Sequence, residues 1–476
     1  MTWGRVPNEL WLEVFKTLPR ENLKDVSLTF HLFCRITRPL LFTHFDFHPY
    51  CIGANGALLL PQKEHVDMAL ERLNFWFSDE IAPSVRSCTV VPWRPVARQS
   101  TWRFSSSETP HVLLDVFFDR LASFTGLQRM DTVSVYFTQT AITNLCLLSA
   151  LATLRIQRFM APDDDAIDVT STVLAVSSFT IQNNITAEDG LAHWIALLRP
   201  DSLRELSVHC NLRFFGDHID NVPCFSQVQM LSITLNFAIM SHNLNVLRKF
   251  PNVETLSISG WGELGECSRN PGVLWPVLTE YIDSQEPLAL ILPCPHLKRL
   301  TIHYCSPDDL LLRLHSVSGP LNITSLVLDF DSFDNEKFAS LCSVVGAHLH
   351  ELKLAVTVQV DDSELDEDEI QLLARTFFEA LASTPSLPSV LEHLAISWLF
   401  ESGEEFEPGD EAPDNFSELD DTLVARCPKL KSLWLDGHGF LFHWRQTADG
   451  TAEHFADNLD EAEDTRKGFA AFWAAR

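Results

Sequence analysis

The chain opens on apolar residues at helical spacing. Leu10, Val14 and Leu18 lie four residues apart, so they share one side of a short helix. Pro7 and Asn8 suit the first turn of that helix, where a missing backbone N–H costs nothing and a short polar side chain can cap. The pattern therefore predicts a helix that starts just after Pro7.

Two further helices are predicted directly after it. Pro19 ends the first helix and can start a second, which carries Leu23, Val26 and Phe30 on its apolar side. A third helix is predicted to begin near His31 and to end at about Arg38, because a residue that precedes proline is disfavoured in helical angles.

Three short helices cannot bury all this apolar surface among themselves. A domain of fewer than roughly 40 residues usually needs a metal, a disulfide or a partner. Cys34 is the only cysteine of the stretch, and no ligand cluster accompanies it. The surplus surface is therefore either packed on the following domain or offered to another protein.

A second pattern, apolar-x-x-apolar-x-apolar, recurs through the rest of the chain. Clear copies start at Leu203, Val253, Leu297, Leu349 and Leu430. The steps between first apolar positions from Met130 to Val253 are 21, 25, 27, 25 and 25 residues, and the other long steps of 39 to 45 equal one period plus an insertion. Periods of 20 to 29 with this core are typical of leucine-rich repeats.

Each copy predicts one short strand followed by a helix. The apolar-x-apolar pair gives a strand with alternating faces, and stretches such as 191–198, 244–247, 310–314 and 338–342 between the strands have helical spacing. Stacked units of this kind form a solenoid with parallel strands on the concave side and helices on the convex side. Residues 64–83 are predicted to form an amphipathic helix that caps its first end, and 465–476 a last helix.

Composition describes a folded, acidic protein. Of 476 residues, 46% are apolar and 21% charged, and the net charge is −29. Residues 361–476 hold 27 acidic and 8 basic residues, concentrated near 361–369 and 401–421. Such charge disfavours nucleic-acid binding. Attraction of a basic partner and simple solvation of the surface both stay open.

The compartment follows from what the sequence lacks. No apolar segment after a basic start marks a secretory signal, and no run reaches the roughly 18 residues of a membrane helix. Eleven scattered cysteines are then reduced thiols. We expect a cytoplasmic or nuclear protein with no membrane partner.

The N-terminal residues resemble an F-box, most closely the F-boxes of fungal proteins. Pro7-Asn8-Glu9-Leu10 and the later Pro39-Leu40-Leu41-Phe42 carry the likeness, although Val6 stands where the family more often has Leu and Phe33 where many members have Trp. The resemblance implies docking on the Skp-type adaptor of a cullin-based (SCF) ubiquitin ligase. The residues that it implies for adaptor binding are Val6, Pro7, Leu10, Val14, Phe15, Leu18, Pro19, Leu23 and Val26.

The repeats resemble those of F-box-associated leucine-rich-repeat proteins, although the Asn or Cys landmark after the strand is mostly missing. The expected fold class is α/β, a three-helix F-box followed by a leucine-rich-repeat solenoid. The expected domains are the F-box motif at 1–48, a helical linker or cap at 49–84, the solenoid at 85–440 and a C-terminal cap or tail at 441–476. A protein substrate would bind the repeats, and aromatic and arginine residues favour Arg299, His303, Trp398 and Trp434 as contacts.

Catalysis is not expected. The chain has no Gly-x-Ser-x-Gly, no phosphate-binding Gly-x4-Gly-Lys and no His-Glu-x-x-His. His44, His48 and Cys51 have a metal-like spacing without an evident fourth ligand, so a surface pair of histidines is favoured over zinc. No cofactor or metal is expected. The alternative to a ligase adaptor is a repeat scaffold whose N-terminal motif is only a folded cap, and the two differ in whether the first apolar stripe is exposed.

Overall fold

The structure is a computed structural model. It describes residues 7–53, 56–93, 104–106, 109–158, 173–182, 190–209, 223–236, 244–261, 275–317, 321–359, 387–401, 425–437, 440–446 and 452–456. The predicted acidic loop at 361–369, the acidic run at 401–421 apart from Glu401, and the predicted last helix at 465–476 lie outside these ranges. The chain divides into two compact units, Met1–Phe250 and Pro251–Arg476.

The first unit begins with three helices, α1 (Asn8–Lys16), α2 (Arg20–Thr29) and α3 (His31–Leu41). Pro7 and Pro19 stand immediately before α1 and α2, where proline is favoured because its own N–H is not needed. Phe15, Leu23 and Leu41 form the small core between the helices, and half-buried residues pack around it: Trp11, Leu18, Val26, Phe33, Ile36, Leu40 and Phe42.

The predicted end of the third helix at Arg38 is wrong, because α3 passes through Pro39. The ring removes one backbone donor, yet the helix closes its next turn with a hydrogen bond from the Phe42 N–H to the Arg38 carbonyl at 3.1 Å. Continuing the helix buries Leu41 to 8% exposure. Burying a leucine is favourable by about 1.5–3 kcal/mol, which offsets the lost bond.

Further helices of the first unit are α4 (Lys63–Trp76), α5 (Val112–Arg120), α6 (Gln139–Cys146) and α7 (Gly190–Leu197), with 3₁₀ turns at Ala82–Ser84, Leu121–Ser123 and Leu244–Lys249. The predicted helices at 64–83 and 191–198 correspond to α4, which ends earlier, and to α7. The segment at 244–247 is 3₁₀ rather than α-helical.

Seven strands of the first unit form a parallel ladder. In spatial order they are β1 (His44–Phe47), β4 (Ser87–Val90), β6 (Arg129–Val133), β7 (Thr153–Gln157), β8 (Ser178–Gln182), β9 (Glu205–His209) and β10 (Met230–Asn236). Phe179, Leu206 and Leu231 stand in register and are buried, as are Ile181 and Val208 beside them. We call this the core face, and the alternate residues form the opposite face.

Helices pack on the core face. The ring of Phe117 on α5 stacks on Phe47 of β1 at 5.0 Å, and Trp194 on α7 stacks on Phe179 of β8 at 6.1 Å between centroids. Neither a strand nor a helix alone could cover this apolar surface, so repeats stabilise one another as the pattern predicts.

Sequence and structure differ in this unit at three places. Leu127, fully buried, takes the first apolar position that the pattern assigned to Met130. β1 already belongs to the ladder, although 44–47 falls within the predicted F-box segment. A small antiparallel sheet of β2 (Cys51–Ile52), β3 (Leu58–Pro61) and β5 (Phe104–Ser106) was not predicted, because strands of two to four residues carry little periodicity.

Two strand ends in the first unit use left-handed residues. Ser134 and Arg158, which follow β6 and β7, both have φ of 52°. Their N–H groups donate to the carbonyls of Gln157 and Gln182, each at 2.7 Å and each on the next strand. Backbone donors therefore join these repeats, so the missing Asn or Cys landmark is not required there.

Tyr50 secures one of these turns. Its ring is completely buried, and its hydroxyl donates to the Ser134 carbonyl. Tyr50→Phe should lower the free energy of unfolding by about 1–2 kcal/mol, because the buried carbonyl loses a partner. Urea unfolding measures the change, with Tyr304→Phe as a control since Tyr304 is 81% exposed. Equal unfolding midpoints for Tyr50→Phe and the unmodified chain would contradict this.

The second unit repeats the parallel ladder. Its strands are β11 (Thr255–Trp261), β12 (Glu280–Asp283), β13 (Arg299–Cys305), β14 (Ser325–Phe330), β15 (Glu351–Gln359), β16 (His393–Glu401) and β17 (Ser432–Gly437). β18 (Phe440–Gln446) and β19 (Ala452–Ala456) follow as an antiparallel end. Its helices are α8 (Leu288–Ile291), α9 (Pro307–His315) and α10 (Asn335–Val345), and a 3₁₀ turn covers Gly346–His348.

β12 corrects the predicted insertion after Val253. A complete repeat occupies that place, with Leu278 and Tyr281 at the first two apolar positions, both fully buried. The third position is Asp283, at φ of 110°. A polar residue at this position hid the copy from the pattern.

The described helices are short; α1 to α3 precede the first strand, and the others lie between strands. None of them has both the length and the apolar composition that crossing a bilayer requires. Mixed α/β structure around a long ladder of parallel strands is the architecture of the chain.

Candidate protein-interaction surfaces

The N-terminal helices divide the predicted adaptor-binding residues into two kinds. Pro7 and Pro19 are exposed, and Leu10 and Val14 are exposed by 57% and 51%. The others belong to the helical core or to its edge, namely Phe15, Leu18, Leu23 and Val26. Val6 lies outside the described residues. The exposed members can contact a partner, whereas the buried members hold the helices together.

Two half-buried aromatic rings connect α1 to an exposed one, Phe30, which lies between α2 and α3. Trp11, next to Leu10, lies 4.8 Å from Phe33 of α3, and Phe33 lies 5.8 Å from Phe30 between ring centroids. Phe30 is 54% exposed. We call Leu10, Trp11, Val14, Phe30 and Phe33 the N-terminal apolar surface. The sequence placed Phe30 on the second helix but assigned neither Phe30 nor Trp11 to adaptor binding, although aromatic enrichment is a signal of binding surfaces.

The same helices also contact the chain that follows. Phe42, just after α3, lies edge-on to Phe75 and Trp76 of α4 at 5.5 and 5.3 Å. Arg38 donates to Glu80 at 2.5 Å. These contacts involve a different part of the helical unit from Leu10 and Val14, so they leave the N-terminal apolar surface exposed.

The opposite face of the first unit is polar. His44 contacts the Asp46 carboxylate and the Ser87 hydroxyl, each at 2.7 Å, and His48 Nδ1 lies 3.0 Å from the Val91 carbonyl. Within the described ranges, no three His, Cys, Asp or Glu residues are grouped as metal ligands would be. The ring nitrogens of both histidines that had suggested a metal site therefore have hydrogen-bond partners within the protein: side chains for His44 and a backbone carbonyl for His48.

Two arginines stand on neighbouring strands of this face. Arg129 of β6 binds Asp131 with Nε at 2.7 Å and Nη2 at 3.3 Å. Arg155 of β7 is exposed, and in the amide orientation that satisfies both groups the Gln157 oxygen accepts from its Nε and Nη2 at 2.8 Å each. Arg155 occupies the position between two apolar strand residues, Leu154 and Ile156, so the repeat pattern could have identified it.

A histidine at the start of α5 gives the first unit a pH dependence. The ring of His111 stacks on Tyr136 at 4.6 Å and meets the edge of Tyr50 at 5.9 Å. Burial lowers the pKa of His111, and nearby Asp115 opposes that shift only in part. The unfolded chain therefore takes up this proton more readily than the folded chain.

We expect the stability of the first unit to fall as the pH decreases through about 6.5, the ordinary pKa of histidine, toward the lower pKa of folded His111. Protonation of unfolded His111 begins near its ordinary pKa, and the loss continues until the pH reaches the lower pKa of the folded state. Urea unfolding at several pH values measures this. His111→Phe should flatten the curve in that window, and an unchanged slope would assign the pH dependence to other groups.

In the second unit, Arg299 and His303 lie on the opposite face of β13. Arg299 Nε is 3.4 Å from the Glu280 carboxylate on β12, so its charge is partly compensated. His303 is exposed, beside Tyr304 at 6.5 Å between centroids. Tyr304 is 81% exposed, and its φ of 50° lies in the left-handed region. Tyr304 was missed because it breaks the alternation.

Trp398 and Trp434 are buried, with exposures of 7% and 3%. Trp398 follows Leu394 and Ile396 at two-residue spacing and so falls on the core face. Trp434 is on the opposite face, where its ring meets His443 of β18 at 5.1 Å. Neither indole offers the accessible surface of Arg299 or His303, and their role as substrate contacts stays a prediction.

Ionisable groups in the repeats do not form a reactive centre among the described residues. Lys353 stands between Val327 and Ala395 in register, and burial lowers its pKa while Asp329 opposes the shift. Burial raises the pKa of Cys342 to about 12 and that of Cys146 to about 11. Such thiols are protonated near neutral pH and are poor nucleophiles.

Comparison with protein-family models gave no match, and no curated protein matched the sequence. The evidence for function is therefore the N-terminal apolar surface and the opposite face of the parallel strands.

Proposed function

We propose that the chain is the substrate-recognition adaptor of a Skp-cullin-F-box type ubiquitin ligase. The N-terminal helices dock on the Skp-type adaptor, and through it on a cullin ligase, while the repeats bind a substrate protein. The observation that carries this proposal is the exposure of Leu10 and Val14 on α1, by 57% and 51%.

Exposed apolar residues on so small a unit support a partner. Among the residues that the structure describes, the helical core has three buried apolar side chains, Phe15, Leu23 and Leu41. A partner that covered Leu10, Val14 and Phe30 would add apolar burial at about 25 cal/mol for each Å² removed from water. Docking of a second protein therefore both uses this surface and stabilises the helices beneath it.

The repeats form the second part of the proposed adaptor. We place them in a leucine-rich-repeat solenoid whose opposite face is concave and binds the substrate. The chain does no chemistry of its own and works in the cytoplasm or nucleus. It raises the effective concentration of a substrate lysine near the ubiquitin-conjugating enzyme, and this alone accelerates transfer.

A repeat scaffold with a folded N-terminal cap is the second candidate. The contacts of Phe42 with Phe75 and Trp76 favour it, because a cap must pack against the first repeat. A cap needs no partner for Leu10 and Val14, however. The two candidates differ in whether an adaptor binds.

Co-expression of the full chain with a Skp-type adaptor tests the proposal. Size-exclusion chromatography should then give a one-to-one complex that survives dilution to micromolar concentration. A folded chain that elutes without the adaptor would reject the ligase function and favour the scaffold.

A further inference from the structure

One arginine of the first unit is held in position without a neutralising partner. Arg155 is oriented by the Gln157 amide oxygen, which bears no net charge. Among the described residues no carboxylate lies within 4.0 Å of Arg155, whereas Arg129 on the neighbouring strand is neutralised by Asp131. An oriented guanidinium with free N–H groups, including both on Nη1, is suited to bind an oxyanion.

Local charge around Arg155 contrasts with that of the chain. β7 and the residue after it contribute Arg155 and Arg158, both exposed, and neither β7 nor β8 contains an acidic residue. The whole chain has a net charge of −29. Within the part of the chain that the structure describes, these two adjacent strands thus carry basic and no acidic side chains, and this complementarity indicates an acidic partner.

Polar side chains beside Arg155 complete the site. Thr180 stands directly across from it in register, and Gln157 pairs with Gln182 in the same way. All three are partly exposed on the opposite face. Hydroxyl and amide groups both donate and accept hydrogen bonds, so they can contact the backbone of an extended peptide laid across the strands.

Neighbouring carboxylates limit the charge that the site accepts. Asp131 lies across from Arg155 in register on one side, and Glu205 is exposed on β9, next to β8. A dianionic phosphate would be repelled by both. A single carboxylate needs only the one guanidinium, whose planar fork it matches.

We propose that β7 and β8 bind an extended acidic segment of the substrate, with Arg155 taking one Asp or Glu carboxylate. This proposal rests on the proposed function, since it names the class of substrate that the repeats bind. Arg155 sets specificity, while Thr180 and Gln182 contact the peptide backbone.

Selection from a displayed library of random peptides tests this on the immobilised full chain. Peptides selected by the unmodified chain should be enriched in Asp or Glu at one position, and those selected by Arg155→Glu should lose that enrichment. A selection without acidic enrichment, or without any binder, would overturn the proposal.

A double-mutant cycle then assigns the contact. Arg155→Gln should lower the affinity for a selected peptide roughly ten- to hundredfold, as expected for loss of a charged hydrogen bond. Replacing the acidic residue of the peptide by Gln should cost the same, and the two changes together little more. Additive losses would overturn the assignment to Arg155.

Arg204→Gln is the matched control, because Arg204 is also exposed and also donates to a glutamine oxygen, that of Gln227. It should leave peptide binding within about twofold, since Arg204 lies before β9 and outside the site. If Arg204→Gln weakened peptide binding as much as Arg155→Gln does, the effect would come from the overall charge of the protein, which would contradict the proposal.

A phosphoserine in place of the acidic peptide residue tests the choice of anion. Tighter binding of the phosphopeptide would overturn the proposal that Arg155 binds a carboxylate. The Leu10→Asp chain should bind the selected peptide normally although it loses the Skp-type adaptor. Failure of the peptide experiment with an intact adaptor complex would therefore refute the acidic segment and leave the ligase function standing.

Discussion

Leu10→Asp is expected to abolish binding of the Skp-type adaptor. The Leu10 side chain is 57% exposed on α1, so the substitution changes the proposed contact and not the core. In the complex the new carboxylate would lose its water without gaining a partner, which costs several kcal/mol. Affinity should fall at least roughly hundredfold, measured by co-purification and by titration calorimetry.

Leu312→Asp provides the control for that loss. Leu312 is 71% exposed on α9, so the same apolar-to-acidic change occurs on a helix of the second unit. It should leave adaptor binding unchanged. Retention of the adaptor by Leu10→Asp, or equal loss with Leu312→Asp, would remove α1 from the interface.

Phe15→Ala should unfold the N-terminal helices. Phe15 is 3% exposed and contacts Trp11 and Phe33 at centroid distances of 5.7 and 5.1 Å. Removing a buried phenylalanine typically costs 3–5 kcal/mol, which a core of three fully buried residues cannot absorb. Amide hydrogen exchange in α1–α3 should become fast, while that of the parallel strands stays slow.

Val14→Ala is the control for Phe15→Ala, because it shortens an exposed side chain on the same helix and leaves the core intact. Val14 is 51% exposed, so its loss should change the stability of the helices by less than about 1 kcal/mol. Adaptor binding should still weaken, because Val14 is exposed for contact. Slow exchange in α1–α3 of Phe15→Ala would show that the helices depend on other contacts.

Local patterns predicted the N-terminal helices well, because Pro7 and Pro19 mark both starts. The same patterns did not predict the end of α3 correctly. Proline at position 39 disfavours helix in the residue before it, but burial of Leu41 outweighs that preference. Whether a helix continues through proline thus depends on tertiary packing, which a rule based on neighbouring residues does not include.

The repeats were predicted where three apolar residues mark the strand, and β12 was missed because Asp283 replaces the third of them. β1 keeps the full pattern, with Phe42, Phe45 and Phe47, but lies within the segment that was assigned to the F-box. In β12 the Tyr281 hydroxyl donates to the Ser284 carbonyl at 2.6 Å, so a buried polar group is satisfied at a strand end that the apolar pattern cannot describe.

The surfaces were harder to predict than the fold. Which face a residue occupies follows from two-residue alternation, and this places Arg299 and His303 on the opposite face. Whether that face is accessible depends on contacts far along the chain, such as that of Trp434 with His443. Arg155 became a candidate only when its partner was seen to be a neutral amide rather than a carboxylate.

Amide hydrogen exchange of the full chain, with and without a Skp-type adaptor, tests the central claim most directly. Binding should slow exchange in α1–α3, around Leu10, Val14 and Phe30, and leave β11–β17 unchanged. Unaltered exchange in α1–α3 at saturating adaptor, or protection confined to the repeat strands, would contradict the assignment of the N-terminal helices as the ligase-docking part.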